Sequence, residues 1–311
     1  MGNKRYVLLA GGVGAAKFIE GLANVVSQES LTIIVNTGDD IDLFGLKICP
    51  DLDIITYTLA DVVDNEKGWG FREESFNCLE ILKKYYDFGW FNAGDKDIAT
   101  HIYRTDLHNK GFNKYQIAQK IADKLGVKAH IIPMCNESFE TYIEISSGKI
   151  HFEEYFIKER CEPEVLSVYF KGSEKAKANE IIFECISNAD KIIICPSNPI
   201  VSIGTILSVP GIKEALVSEK HKVVAISPII NGAPVKGPAD KLMKAFGLEV
   251  SCLGVAKFYK EFVDHIVIDN IDCSYLKEIK KLGIQAHCYD TIMKNQEKKE
   301  ALAQFVVELA I

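Results

Sequence analysis

The chain has no apolar run long enough to cross a bilayer, no low-complexity tract and no fixed-period repeat, which argues against a membrane span, long linkers and a solenoid. Basic residues are in the minority. With 36 Lys and Arg against 43 Asp and Glu, the net charge of −7 offers no broad attraction for nucleic acid or anionic lipid, so neither nucleic acid nor membrane is expected as a partner. A local basic pocket can still hold a small phosphorylated ligand. The 9 prolines are too sparse for Pro-rich linkers. The 9 cysteines (Cys49, Cys78, Cys135, Cys161, Cys185, Cys195, Cys252, Cys273 and Cys288) form no CxxC pair and have no histidine at zinc-finger spacing, so they read as reduced, mostly buried small residues. Met1 to Arg5 leads straight into a short strand-like segment, with no secretory h-region, and a cytoplasmic location is expected.

What is present is ordinary globular material. Hydrophobic residues make up 48% of 311 and charged residues 25%, enough for a substantial core in one or two domains. Residues 5–10 (RYVLLA) are a compact apolar run, followed by Gly11-Gly12-Val13-Gly14-Ala15-Ala16-Lys17 and a helix-period stretch to about residue 26. Strand, glycine turn and helix in that order open a nucleotide-binding α/β unit. A second strand, LTIIVN, ends at Thr37-Gly38-Asp39-Asp40, and Asp51-Leu52-Asp53 precedes a helical stretch predicted over 54–63. After Gly172 further apolar strands recur at 191–195, 223–228, 265–269 and 285–289 with helix-like segments between them, so right-handed parallel crossovers are the economical topology. The middle of the chain lacks this rhythm: it is helical and charged to about residue 125, then forms short alternating strands with a hairpin turn at Ser146-Ser147-Gly148-Lys149. The expected fold is therefore α/β, a Rossmann-like three-layer core with a mainly parallel sheet from residues 1–64 and 172–311. Residues 65–171 are expected to form an inserted, mainly helical lobe carrying a small antiparallel element.

Four motifs carry chemistry. Gly11, Gly12 and Gly14 permit close approach of backbone N–H groups to an anion at a helix N-terminus, and Lys17 stands one turn further on. The spacing is not a Walker A loop and lacks the final glycine of GxGxxG, so packing of strand against helix is the competing reason for the glycines. Asp39, Asp40, Asp51 and Asp53 offer hard carboxylate oxygens suited to Mg²⁺, which bridges substrate phosphates; the simpler roles are a solvated turn and a helix cap. Asp97, His101 and Arg104 recur at i, i+4 and i+7 and share a helix face, where a phosphate or polar heterocycle would fit, although a structural histidine has the same signature. Pro196-Ser197-Asn198-Pro199-Ile200-Val201-Ser202-Ile203-Gly204-Thr205 and the 227–238 segment, with Lys236, lie at later strand ends, where open α/β sheets bind ligands. Trp69, Trp90 and Phe91 supply flat surfaces for stacking or for the core.

Taken in order, GGVGAAK (11–17), NTGDD (36–40), PDLD (50–53), GWG (68–70), WFNAGDKDIATH (90–101), RT (104–105), IIPM (131–134), PSNPIVSIGTIL (196–207) and SPIINGAPVKGPA (227–239) resemble the 2-phospho-L-lactate transferase family of coenzyme F(420) biosynthesis over nearly the whole chain. The resemblance implies transfer of a phospholactyl group, or its phosphoenolpyruvyl counterpart, from a guanosine diphosphate-linked donor to the ribityl hydroxyl of the deazaflavin Fo, with release of GMP and a requirement for Mg²⁺. It implies that Gly11, Gly12, Gly14 and Lys17, together with Ser197, Asn198, Pro199, Ser202 and Gly204, hold the guanosine diphosphate portion. Asp53 matches an Fo-binding position, and a second falls between Asn92 and Lys96. In this frame Asp39, Asp40, Asp51 and Asp53 are the metal ligands, with Asp53 and Asp51 as the residues that orient or deprotonate the hydroxyl. The chain departs from the family at Pro133-Met134-Cys135-Asn136, where a serine and an aspartate are common, and at Asn92, where a basic residue is common. A non-catalytic nucleotide-sugar-binding regulator of the related gluconeogenesis-factor family shares the glycine turn and the SNP-type loop, while the 94–101 segment and Trp90-Phe91 favour the transferase. An NAD-dependent dehydrogenase would place an acidic residue at the end of the second strand, where Asn36-Thr37 stand. A homodimer is the default of symmetry statistics and no motif specifies it.

Overall fold

The computed structural model describes residues 4–64, 67–86 and 90–310. Strands β1 (Tyr6–Ala10), β2 (Leu31–Val35), β3 (Ile41–Leu43), β4 (Leu46–Ile48), β5 (His130–Pro133), β6 (Glu140–Ile145), β7 (Gly148–His151), β8 (Ser167–Lys171), β9 (Lys191–Ile194), β10 (Val223–Ile226), β11 (Ile229–Ile230), β12 (Ala233–Pro234), β13 (His265–Asp269) and β14 (Gln285–Tyr289) follow one another along the chain. Seven of them form one sheet in the order β14-β13-β10-β9-β1-β2-β5, parallel throughout. The chain starts in the middle of this sheet, grows to one edge through β2 and β5, and returns to the other side of β1 through β9. The switch between β1 and β9 opens a crevice above the carboxyl ends of both strands.

The central strands β1, β9 and β10 are short apolar runs because the sheet is covered there on both faces, whereas the edge strand β14 (QAHCY) is only partly buried. Val7 and Leu9 of β1 enter one core with Ile34, Ile132, Ile192 and Ile194, whereas Tyr6, Leu8 and Ala10 enter the other with Ile33, Val35, Ile131 and Ile193. Helices α1 (Gly12–Val25) and α2 (Pro50–Leu59) pack on the second core, together with the C-terminal helix Gln296–Glu308. The opposite core takes in Phe139, Ile143 and Ile145, which carry the three-stranded antiparallel sheet β7-β6-β8 onto the main sheet. Helices α3 (Asn77–Tyr85), α4 (Asp95–Asn109) and α5 (Lys114–Lys124) precede β5.

Several sequence expectations shift. The segment 65–171 holds the helices and the antiparallel hairpin, and also delivers β5 as an edge strand of the main sheet, Thr32 opposite His130 and Val35 opposite Pro133. Its expected first residue, Asn65, and residues 1–3 lie outside the described residues. Helix α2 begins at Pro50, so Asp51 and Asp53 are inside its first turn instead of ahead of it. The fixed φ of proline suits the first helical position, which moves the start forward. Cys273 and Cys288 are paired as a disulfide, unlike the other seven cysteines. Among the described residues no single helix is long and apolar enough to cross a membrane.

Candidate active site

Four strand-end segments converge because β1, β2, β9 and β10 all point the same way. They border a cavity of about 660 Å³, whose lining includes Gly11, Gly12, Gly14, Lys17, Asp39, Asp51, Asp53, Asn92, Ser197, Asn198 and Ser202. That volume lies within the range of small-molecule sites.

Two of the glycines are explained by packing. A Cβ on Gly14 would sit 2.3 Å from the Pro196 carbonyl oxygen, and one on Gly11 would sit 2.7 Å from Asp51 Oδ2 and 2.8 Å from Ser202 Cβ. Gly12 differs: its φ is +73° with open space around it, so backbone is bared to the cavity. The turn's own donors are partly engaged inside the protein. Gly12 N–H donates to Asp51 Oδ1 at 2.7 Å, and Gly11 N–H to Ser197 Oγ at 3.3 Å. The carboxylate on the first turn of α2 thus sits against the positive end of α1.

Asn36, at the end of β2, is the hub of the acidic wall. Its Nδ2 donates to Asp51 Oδ2 at 2.9 Å, Asp39 Oδ2 at 3.2 Å and the Val201 carbonyl at 3.3 Å. Asp39 Oδ1 is buried with no hydrogen-bond partner among the described residues. Burial first, then the charges of Asp51, Glu153 and Asp40, hold the Asp39 carboxyl well above the usual carboxylate range. Burial pushes Asp51 up to about 6 against the hydrogen bonds from Asn36 and Gly12. Glu153, also buried in the cavity wall, is pushed up to about 8 by burial and by Asp51. Carboxyls under-neutralised in this way suit a cation that the protein itself does not supply.

A second polar end is built by α4. Its spacing does bring Asp97, His101 and Arg104 to one buried face. Arg104 Nη2 donates to Asp53 Oδ1, leaving Asp53 Oδ2 buried without a hydrogen-bond partner among the described residues. Burial raises the Asp53 carboxyl and Arg104 opposes the rise. Burial and the charge of Arg104 drive His101 down to about 3, so the ring is neutral; burial and Asp53 lift Asp97 to about 7. Asp53, Asp97 and His101 all face the cavity, with Trp69 and Phe91 beside them.

A family model described as 2-phospho-L-lactate transferase CofD matches residues 6–307. The chain belongs to this family. It is accordingly a transferase. A 2-phospho-L-lactate transferase from Methanosarcina barkeri is 41% identical over 303 residues, 97% of each chain. A phosphoenolpyruvate transferase from Streptomyces griseus subsp. griseus is 39% identical over 312 residues, 98% of each chain. Among solved structures, a UPF0052-family protein from Bacillus halodurans superposes with a TM-score of 0.64 at 19% identity, covering 99% of this chain and all of that one, which is a likeness of fold.

Not every candidate of this family member reaches the cavity. Asp40 is turned to Lys114, whose Nζ lies 2.6 Å from its Oδ2. Lys96 is tied by its Nζ to the carbonyls of Arg72 and Glu73, at 2.7 and 2.9 Å. Pro199 and Gly204 belong to the helical turn Pro199–Gly204, capped by Asn198 Oδ1, which accepts from Ile200 N–H at 2.9 Å; neither lines the cavity. Asn136, at the departure from the family pattern, accepts from Tyr115 N–H at 3.0 Å and binds Asn179, away from the cavity.

Among the described residues no group of three or more His, Cys, Asp or Glu is arranged to hold a metal ion. Mg²⁺ needs less: one or two carboxylates, with waters and substrate phosphates completing its shell. Asp39 and Asp51 fit that requirement, with the orphaned Asp39 Oδ1 as the observation. Asp40 and Asp53 already have Lys114 and Arg104 as their cations.

Asn36, Glu153 and Lys294 also belong to the site's surroundings without having been singled out as site residues in the sequence. Asn36 had a signal, because a polar residue ending an otherwise apolar parallel strand faces the ligand crevice. Glu153 had none: in sequence it is one of several acids after a hairpin.

Proposed function

We propose that this protein transfers a phospholactyl or phosphoenolpyruvyl group from a guanosine diphosphate-linked donor to the terminal ribityl hydroxyl of the deazaflavin Fo, releasing GMP, in coenzyme F(420) biosynthesis. The observation that carries the reading is the unpartnered Oδ2 of Asp53, fixed by Arg104 in the same cavity as the glycine turn and the Asp39–Asp51 pair. Phosphoryl transfer asks chiefly for alignment and charge neutralisation, and the cavity offers both.

In this reading Gly12, Lys17, Ser197, Asn198 and Ser202 bind the guanosine diphosphate portion. The hydroxyl gives its proton to Asp53 Oδ2 as its oxygen bonds to the phosphorus bearing the acid; the bond from that phosphorus to the GMP oxygen breaks, and GMP leaves with the electron pair. Asn92 and the aromatic surfaces of Trp69 and Phe91 border the acceptor. Mg²⁺, when bound by Asp39 and Asp51, would supply charge neutralisation on the diphosphate. The names of the relatives differ in the acid carried by the donor, and both donors belong in the test.

Incubation of the protein with Fo, Mg²⁺ and either lactyl- or enolpyruvyl-diphosphoguanosine is expected to yield GMP and a phosphodiester of the deazaflavin in equal amounts, read by chromatography and mass spectrometry. Binding of both substrates with no GMP formed from either donor would refute the assignment.

A further inference from the structure

Helix α4 places His101 and Arg104 one turn apart beside Asp53, and the hydrogen-bonding capacity of a guanidinium fixes the state of all three. Arg104 is 4% exposed. Its Nη2 donates to Asp53 Oδ1, while Nη1 lies 3.1 Å from His101 Nδ1 and 3.3 Å from the Lys47 carbonyl oxygen. A guanidinium has only hydrogens to offer and no lone pair, so His101 Nδ1 is the acceptor. The ring's single proton is then on Nε2, where the imidazole has no hydrogen-bond partner among the described residues. Both His101 and Asp53 stand in the cavity wall. That stretch of wall therefore carries a donor without an acceptor and, at Asp53 Oδ2, an acceptor without a donor.

We propose that His101 Nε2–H and Asp53 Oδ2 form a matched donor and acceptor pair that selects an uncharged alcohol as the group to be phosphorylated, with Arg104 as the positioning residue that fixes both partners. The proposal rests on the function proposed above and deepens it, by naming what reads the hydroxyl oxygen. An alcohol gives its one hydrogen to the carboxylate and offers a lone pair to the imidazole N–H, satisfying both. An ammonium group has no lone pair for His101 and meets the charge of Arg104. A carboxylate or phosphate has no hydrogen for Asp53 and is repelled by it. Asp53 Oδ2 is 3.7 Å from His101 Nδ1, the nitrogen on the same ring as the proposed donor. Two hydrogen bonds of about 2.8 and 3.0 Å to a shared oxygen bridge a gap of that size.

The test has two arms, both on the full chain. In the first, ¹⁵N-histidine NMR without substrate reads the tautomer of His101, its signals assigned by their loss in His101→Gln. The neutral Nε2–H form is expected at neutral pH, and Arg104→Lys, which cannot hold both partners with one planar fork, is expected to release a mixture of tautomers. A protonated Nδ1 in the wild type overturns the proposal. In the second, fluorescence titration measures binding of Fo and of its analogue lacking the terminal ribityl hydroxyl, with no donor present. The wild type is expected to prefer the hydroxyl form by roughly tenfold, the worth of one such hydrogen-bonded pair. His101→Phe should erase the preference, and His101→Gln, which keeps an N–H near Nε2, should restore part of it. Equal binding of both compounds by the wild type, or an undiminished preference in His101→Phe, overturns the pairing alone. A wild type that binds neither compound brings down the proposed function and the pairing together.

Discussion

Glu153→Gln is the sharpest probe of the acidic wall. Glu153 is 6% exposed on the cavity wall, and burial with the Asp51 charge brings its carboxyl to about 8 from an ordinary value of 4.5. Folding therefore favours the protonated acid. Its contribution to stability is whole below about pH 4.5, declines as the unfolded chain ionises, and is fully lost once the pH passes 8. A shift of that size corresponds to a loss on the order of 4 kcal/mol across the window. Asp51, brought to about 6, titrates inside the same interval, so the two acids share the effect and an advantage of about 2–4 kcal/mol is expected for the variant at high pH. Glutamine keeps the shape and removes the titration. In urea unfolding with chelator, followed by circular dichroism and tryptophan fluorescence, wild type and Glu153→Gln should agree within about 1 kcal/mol at pH 5, with the variant pulling ahead at pH 8.5. Replacing the chelator with Mg²⁺ at pH 8.5 should stabilise the wild type and narrow the gap, because a cation bound to the folded state neutralises the field that Glu153 feels. A difference between the two proteins that is the same at pH 5 and pH 8.5 would refute the reasoning, as would a wild type that grows more stable relative to the variant as the pH rises.

Other outcomes follow from single contacts. Gly14→Ala drives a methyl group to 2.3 Å from the Pro196 carbonyl and should cost about 3 kcal/mol in denaturant unfolding, whereas Gly12→Ala, with open space and only a positive φ to bear, should cost about 1–2 kcal/mol; equal costs would sink the packing argument. Arg104→Met leaves Asp53 as a lone buried carboxyl and should destabilise by about 3–5 kcal/mol, with Asp53→Asn in the same chain recovering much of it; a double variant no better than Arg104→Met would disprove the coupling. Asp53→Asn should lower kcat by ~10²–10⁴ while donor binding is retained, measured by GMP release and by calorimetry with GDP; unaltered turnover excludes Asp53 as the base. Lys17 is lowered by burial and by the neighbouring charges of Lys236 and Lys299, against an opposing pull from Glu20, which is itself bridged to Lys299. Lys17→Met should weaken GDP binding by roughly tenfold at low salt and by less at high salt, and a loss that ignores ionic strength would contradict a phosphate contact.

The legible part of this fold was written in local patterns. The run YVLLA followed by three glycines, and later KIII and HIVID, marked two-sided buried strands because a covered parallel sheet leaves no polar face. The spacing of Asp97, His101 and Arg104 placed them on one helix face, since 3.6 residues per turn is a property of the local backbone. Residues 130–133, HIIP, carry the apolar run of a covered strand but stand in sequence beside alternating strands, and their parallel pairing with β2 is a long-range choice that local pattern does not carry. Asn231-Gly232, both at positive φ, join β11 to β12 in a tight hairpin whose strands have only two residues each.

Partners are another matter. Asp40 and Asp39 are adjacent in sequence, but one meets Lys114 across the fold while the other is left with an orphaned oxygen on the cavity wall. Asp53 finds Arg104 from 51 positions away, and Glu153, just past β7, lines the same cavity. The sequence by itself determined which residue types stand at strand ends and which share a helix face, since those follow from periodicities a few residues long. Only the tertiary structure decided which carboxyls are neutralised, which face the cavity, and which glycines are needed for close contact. Burial and charge pairing depend on distances between segments far apart along the chain, and no local pattern encodes those distances.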